Sequence, residues 1–437
     1  MTTMTADDPV AYRREQKKIL AGTLVGTSIE WYDFFIYAQA AGLVLSPLFL
    51  KPLNEENPGL AQIISFATVG ISFLFRPVGA IVAGHLGDRI GRKKVLVLTL
   101  VLMGVATALI GLLPTYASIG IAAPILLITL RIVQGFAAGG EWGGAALMAV
   151  EHAPTHRRAF FGSFPQIGVP IGLILATSVL FALQKILGRD AFLEWGWRIP
   201  FLASVLLIVV GWIIRRTVEE SPVFHHMQET KKGSAAPLRQ LFRSNSKEVI
   251  VAALSFISVN CAGYLLIAFF ISYMSKSLKV GLDGVLITTT LAAFGWLAFA
   301  LVGGLLADRI GRVRTFQIGY SIILLWCIPM WFLMDTKSLG WYFVAAFVLS
   351  IGLGLAYGPQ AALYSELFPA AVRYSGVSIA YAIGAVLGGA FAPTISEWIL
   401  RTTGESWHIG IYVGIVTIIS LIAMSSIKDK RGVDLNS

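Results

Sequence analysis

The chain is poor in charge. Only 13% of its 437 residues are Asp, Glu, Lys or Arg, where a soluble domain carries about a quarter. Cysteine is scarcer still. Cys261 and Cys327 are the only two and both fall in apolar stretches, which excludes a disulfide framework and a zinc cluster. No G-x-x-x-x-G-K-[ST] phosphate loop occurs, so ATP is not the direct energy source. Neither a nucleophile with its base nor a group of metal ligands is visible, so the reading is not an enzyme, and no metal or cofactor is expected. The short alternating runs of a β-barrel are missing as well. The first apolar run is too long for a signal-peptide core and follows a polar, charged segment, so it is expected to stay as a helix.

What the chain has is length in its apolar runs. Hydrophobic residues make up 56% of it, with a mean hydropathy of +0.75. A bilayer core about 30 Å thick needs roughly 20 apolar residues per helix. Such runs lie at 19–46, 60–84, 95–113, 118–150, 159–184 and 199–214, and again at 249–274, 284–307, 315–334, 340–366, 374–399 and 408–427. Since lipid supplies no hydrogen bonds to the backbone, each is expected to be a helix. The sequence therefore predicts an all-α polytopic membrane protein with twelve transmembrane helices in two six-helix halves. Residues 1–214 form the first half, 215–247 a polar cytoplasmic linker and 248–437 the second half.

The net charge of +10 sits in alternate loops. Counting from the N-terminus, one side collects 24 Lys and Arg and the other 8. Cytoplasmic loops are the Lys/Arg-rich ones, so both termini are expected inside, and the basic charge reads as topology rather than a nucleic-acid site.

The two halves share their punctuation. Gly84-His-Leu-Gly-Asp88-Arg89-Ile-Gly91-Arg92 between spans 2 and 3 returns as Gly304-Leu-Leu-Ala-Asp308-Arg309-Ile-Gly311-Arg312 between spans 8 and 9. Glu151-x-x-Pro154-x-x-x-Arg158 after span 4 returns as Glu366-x-x-Pro369-x-x-x-Arg373 after span 10. A parallel six-helix repeat is one plan of secondary carriers, with the substrate near the midplane between halves.

The doubled G-x-x-x-D-R-x-G-R resembles the signature of the major facilitator superfamily. Four further phrases resemble its metabolite:proton symporter family: GTSIEWYDFFIY (26–37), RIVQGFAAGGEWGGAAL (131–147), WGWRIPF (195–201) and EESPVF (219–224). That group includes bacterial carriers for α-ketoglutarate, citrate, shikimate and proline/betaine. The resemblance implies an inner-membrane carrier working by alternating access, functional as a monomer, with protons and a small-molecule substrate as partners. It also implies that Asp88, Arg89 and Arg92, with Asp308, Arg309 and Arg312, form a cytoplasmic gate. Glu151, Arg158, Glu366 and Arg373 join that gate by position, with topology anchoring as the plainer reading. About ten residues follow the last run, unlike the coiled-coil extension of the osmosensing proline/betaine member, which argues against osmosensing by that route.

Inside the membrane a charge costs about 2.5–3.5 kcal/mol even on the generous scale, so those that persist need a partner, water or a task. Glu30 lies about 15 Å along the first run at 1.5 Å per residue, and Asp33 follows on the same helix face. They read either as proton-coupling acids or as partners of an arginine. Arg131 reads as a carboxylate clamp or as one member of an ion pair with Glu30, Asp33 or Glu141. Arg76 reads as a substrate contact or a tether, and Glu141 as a coupling acid or a buried structural one. Gln166, Asn260, Tyr264, Trp296, Gln360 and Tyr364 are polar contacts for which packing is the first reading. Glycines at four-residue spacing, such as Gly135, Gly139 and Gly143, predict close helix crossings. The functional expectation is proton-coupled uptake of a small organic acid or zwitterion. A facilitator or proton-antiport exporter of the same fold is the alternative, and a transporter-like sensor the reading from a different class.

Overall fold

A computed structural model describes residues 9–56, 58–217, 220, 223–224 and 237–435. Most of the stretch 218–236, on which the linker reading falls, lies outside the described residues. Among these residues twelve long helices are found: α1 Pro9–Ala40, α2 Pro58–Ile90, α3 Arg92–Leu112, α4 Ala122–Glu151, α5 Arg158–Leu187 and α6 Arg198–Thr217, then α7 Ser246–Tyr264, α8 Leu282–Ile310, α9 Arg312–Trp326, α10 Leu339–Tyr357, α11 Arg373–Gly388 and α12 Trp407–Ser425. Nine helical segments are long and apolar enough to cross a bilayer, or ten when the bent α9 is joined to its continuation. Leu206, Leu325 and Ile422, 71%, 77% and 67% exposed on α6, α9 and α12, point outward where only lipid would suit them.

Not every apolar run is one straight helix. The run at 315–334 breaks before Pro329 and resumes as Pro329–Asp335 at a 49° bend, because proline lacks the amide its helix needs and is tolerated at a first turn. The runs at 340–366 and 374–399 break at Gly358-Pro359 and after Gly388, and continue as Gln360–Leu367 and Ala392–Thr403. Span 7 stays continuous through π-helical turns at Leu265–Phe269 and Tyr273–Ser277.

The packing repeats with the sequence. α1 packs on α5, α2 on α4 and α3 on α6; α7 packs on α11, α8 on α10 and α9 on α12. The two sets meet where α5 lies along α8 and α2 along α11. Small residues set these distances. A Cβ on Gly139 of α4 would stand 2.1 Å from the Arg76 carbonyl of α2, and one on Gly388 of α11 2.3 Å from the Ile257 carbonyl of α7. Each backbone therefore lies in the groove of its neighbour, as the four-residue spacing predicts.

Gly139→Ala forces α2 and α4 apart and is expected to cost about 1–3 kcal/mol. Gly340→Ala, whose nearest neighbour would be Ser338 Oγ at 3.7 Å, serves as the neutral control. Thermal unfolding in detergent checks this with a thiol-reactive dye, since both cysteines are buried. Gly139→Ala should lower the midpoint by several degrees and Gly340→Ala should leave it in place.

Candidate transport site

The repeated motifs converge on one end of the bundle. Gly91 and Gly311, at φ 106° and 108°, end α2 and α8 and start α3 and α9, a backbone turn that only glycine makes without strain. Asp88, three residues before the first turn, accepts bonds from Tyr374 N at 3.3 Å, Ser375 N at 3.2 Å and Ser375 Oγ at 2.7 Å. Those amides open α11. Asp308 does the same for α5, accepting from Ala159 N at 3.0 Å and Phe160 N at 2.9 Å. Each motif aspartate thus caps a helix of the other set, where the helix dipole favours a negative group.

Two glutamates complete the tie. Glu151 meets Arg92 at 3.2 Å and Arg373 at 3.3 Å; Glu366 meets Arg312 at 3.0 Å and Arg158 at 3.5 Å. Each glutamate holds one arginine from its own set of spans and one from the other, and all six side chains are buried. Arg89 and Arg309, expected in the same network, are exposed instead, and Arg309 takes part through its carbonyl, which accepts from Arg431 Nη1 at 2.9 Å.

Two further carboxylates, outside the repeated motifs, join this end of the bundle. Glu220 accepts from Arg92 N at 3.1 Å and caps α3, while Asp429 accepts from Arg312 N at 2.7 Å and caps α9. Both follow the sixth span of their set, so the repeat itself carried that signal. Beyond Asp429 the chain lies across the network. Arg158 Nη1 donates to Val433 O at 2.6 Å and Arg373 Nη1 to Leu435 O at 2.8 Å, and Leu435 is buried.

Deeper in the bundle the charges separate into two groups. Glu30, Asp33 and Glu141 line a narrow cleft with Thr99, Met103 and Ala138, between α1, α3 and α4. Asp33 Oδ1 accepts from Ser204 Oγ at 2.5 Å, and the Thr107 hydroxyl lies against the same carboxyl. Glu141 Oε2 accepts from Thr99 Oγ1 at 2.5 Å. Arg131 is not the partner of these acids. Its guanidinium donates to Gln134 Oε1 at 2.6 Å, Ser72 Oγ at 2.9 Å and Thr68 O at 3.5 Å, and lies 3.7 Å from the centre of the Tyr37 ring. The ion pair weighed in the sequence is replaced by neutral oxygens and a ring.

Arg76 belongs to the second group. It lies 4.2, 4.9 and 5.5 Å from the rings of Phe73, Phe34 and Trp31, and Tyr264 of α7 packs edge-on against Phe73 and Phe34. Tyr264 and Asn260 line a small aromatic cavity between the two sets, with room for about one water. Asn260 also donates to Phe256 O at 3.4 Å. Beside the cavity Trp142 stacks on Tyr381 at 3.9 Å and donates to Gln166 Oε1 at 2.6 Å. Gln166 then crosses to Tyr357 O at 2.8 Å and Gln360 Oε1 at 3.4 Å. Tyr364 instead donates to the Ala252 carbonyl at 2.5 Å and packs its ring on Trp142. No group of His, Cys, Asp and Glu among the described residues could hold a metal.

Comparison with known proteins gives this arrangement its setting. The family model described as Major Facilitator Superfamily matches residues 24–393. The inner membrane metabolite transport protein YhjE of Escherichia coli K12 is 38% identical, covering 98% of each chain. The shikimate transporter of the same strain is 36% identical over 95% of each. The proline/betaine transporter of Salmonella typhimurium is 34% identical over 94% of this chain and 83% of its own. In structure, the proton:xylose symporter XylE aligns with a TM-score of 0.81 over 97% of this chain and 98% of its own, at 18% identity, a likeness of fold. The chain is a multi-pass membrane protein and a transporter of metabolites rather than an enzyme, and it belongs to the Major Facilitator Superfamily, among its metabolite porters.

Proposed function

We propose that the protein takes up a small organic acid or zwitterion together with protons across a bacterial inner membrane, the end bearing the motifs facing the cytoplasm. The observation that carries the proposal is Asp33. It is 1% exposed in the first span, and the partners it meets there are hydroxyls, those of Ser204 and Thr107, with no cation among them. A carboxyl so placed can take and release a proton without first breaking an ion pair. Glu30 makes the link to substrate, since it lines the acid cleft and its charge also acts on the phenols of Tyr264 and Tyr357 at the aromatic cavity. Names of relatives agree in kind, shikimate and proline/betaine being a hydroxylated acid and two zwitterions. One charge moving down 100 mV supplies about 2.3 kcal/mol, enough for about a fifty-fold gradient.

Residues 1–214 and 248–437 are the two moving bodies, joined by 215–247. The network of Asp88, Asp308, Glu151 and Glu366 closes the cytoplasmic end and must open for release, while Lys185 and Asp283 pair at 2.5 Å across α5 and α8 at the other end. That outer pair is exposed and contributes little, whereas separating buried pairs leaves charges uncompensated. The cytoplasmic closure is therefore the firmer of the two. The segment through Val433 and Leu435 reinforces it by bridging an arginine of each body.

Proton entry on adding solute to proteoliposomes, followed with an internal pH dye, tests the coupling. Asp33→Asn should reduce it at least tenfold, while Arg401→Gln, which breaks only an exposed pair with Glu397, should leave it unchanged. Solute flux without proton movement would show a facilitator instead. Removing residues 432–437, which spares Asp429 and Arg431, tests the closure. In a Cys261→Ser, Cys327→Ser background, a thiol placed by Ser378→Cys, buried between α4 and α11, should be labelled several-fold faster from the cytoplasmic side. Equal labelling rates would exclude the bridge.

A further inference from the structure

At the motif-bearing end the short helix Pro237–Ser244 leads into α7 and lies against both sets of spans. It packs on α2 of the first set, and on α7, α11 and the turn Ala370–Val372 of the second. Leu241 is fully buried there, and Leu238 packs on the same core. The other flank differs in kind. Arg239 and Arg243 are exposed, and Phe242 beside them leaves 50% of its surface open. At about 3.6 residues per turn, Phe242 stands between the buried leucines and the two arginines.

Past Asn245 the pattern returns at the start of α7. Lys247 is exposed, and Ile250, three residues on and on the same helix face, is 58% exposed. Twice, then, a cation stands three residues before an apolar side chain that the protein leaves uncovered: Arg239 with Phe242, and Lys247 with Ile250. The side chains of Arg239, Arg243 and Lys247 form no ion pair or hydrogen bond among the described residues.

Two chemistries therefore meet on one flank. A free phosphate, an acidic protein or a nucleic acid would answer the cations and leave Phe242 and Ile250 in water. Uncharged lipid would cover the apolar side chains and leave the cations unanswered. An anionic phospholipid carries both parts. Lys and Arg beside an apolar surface mark a helix at the boundary of headgroups and acyl chains. Each such cation strengthens binding to an anionic leaflet by about fivefold.

We infer that the flank of Pro237–Ser244 and the first turn of α7 seat an anionic phospholipid, its headgroup on Arg239, Arg243 and Lys247 and its acyl chains along Phe242 and Ile250. The lipid is a standing partner of the fold and not cargo, so the inference holds whether or not the carrier moves protons. Because the helix touches both α2 and α11, the lipid sits beside the join between the two sets.

Native mass spectrometry of the full-length protein tests the inference. The protein is purified in a neutral detergent and offered phosphatidylglycerol or phosphatidylcholine with the same chains. Phosphatidylglycerol should be retained about tenfold more tightly or better. Replacing Arg239, Arg243 and Lys247 together by Gln should weaken it by about tenfold or more. Arg239→Lys with Arg243→Lys, which keeps the charge, should weaken it less than about threefold. Replacing the exposed Lys94, Arg157 and Arg314 by Gln removes the same charge from the same end and should change retention less than about twofold. Phe242→Ser should weaken it about threefold or more, and sn-glycerol 3-phosphate, a headgroup without chains, should not displace it. Equal retention of the two lipids would overturn the inference. So would an equal loss in the Lys94, Arg157 and Arg314 variant, which would reduce the effect to overall surface charge. Displacement by glycerol phosphate, with Phe242→Ser unchanged, would assign the flank to a soluble phosphate ester instead.

Discussion

A carboxylate capping a helix of the opposite set is the contact on which the rest of this structure depends. Asp88 sits on the first amides of α11 and Asp308 on those of α5. Such amides have no partner within their own helix, and these, largely shut away between the two sets, need one from the protein. The same bonds that complete two helices therefore join the two sets of helices. Neither helix can begin properly, in this form, unless the other body is in place. Glu151 and Glu366 repeat the device with charge, each shared between an arginine of its own body and one of the other.

This explains why so much polarity is concentrated at one end of an otherwise apolar molecule. A permanent interface could be built from close-packed glycines, as α2 and α4 or α7 and α11 are. In the proposed cycle this interface opens, which calls for bonds that water can replace, and carboxylates, guanidiniums and helix amides meet that need. Near the middle, by contrast, the contacts across the bodies are rings and a few amides, such as Tyr264 on Phe73 and Gln166 on the Tyr357 carbonyl. These resist separation less and can rearrange around a solute.

The fold was legible in the sequence because membrane helices follow from local composition, and the repeat fixes how they pair. The charged network was legible for the same reason, since its residues lie in two short motifs that occur twice. Glu30 and Asp33 could be placed on one face from their spacing alone. What faces them could not: Ser204 comes from α6, and the rotation of that helix about its axis is set by packing. Arg131 was found but its partners were not, although Gln134, one turn further along the same helix, was within reach of a local argument. Tyr264 and Trp296 read as packing because aromatic residues are common in membrane proteins, and only the gathering of six rings from five helices around one space distinguishes them. The interruptions of α9, α10 and α11 were signalled by Pro329, Gly358-Pro359 and Gly388-Gly389, which hydropathy averages away.

The segment after α12 reaches the two bodies through main-chain oxygens, those of Val433 and Leu435. A carbonyl is supplied by any residue, so the hydrogen bond itself places no demand on which side chain stands at position 433. The Val433 side chain packs against the core, so an apolar replacement there would keep both the packing and the bond. What is constrained there is length: one residue more or fewer between Asp429, fixed on α9, and the two arginines would carry the carbonyls out of register.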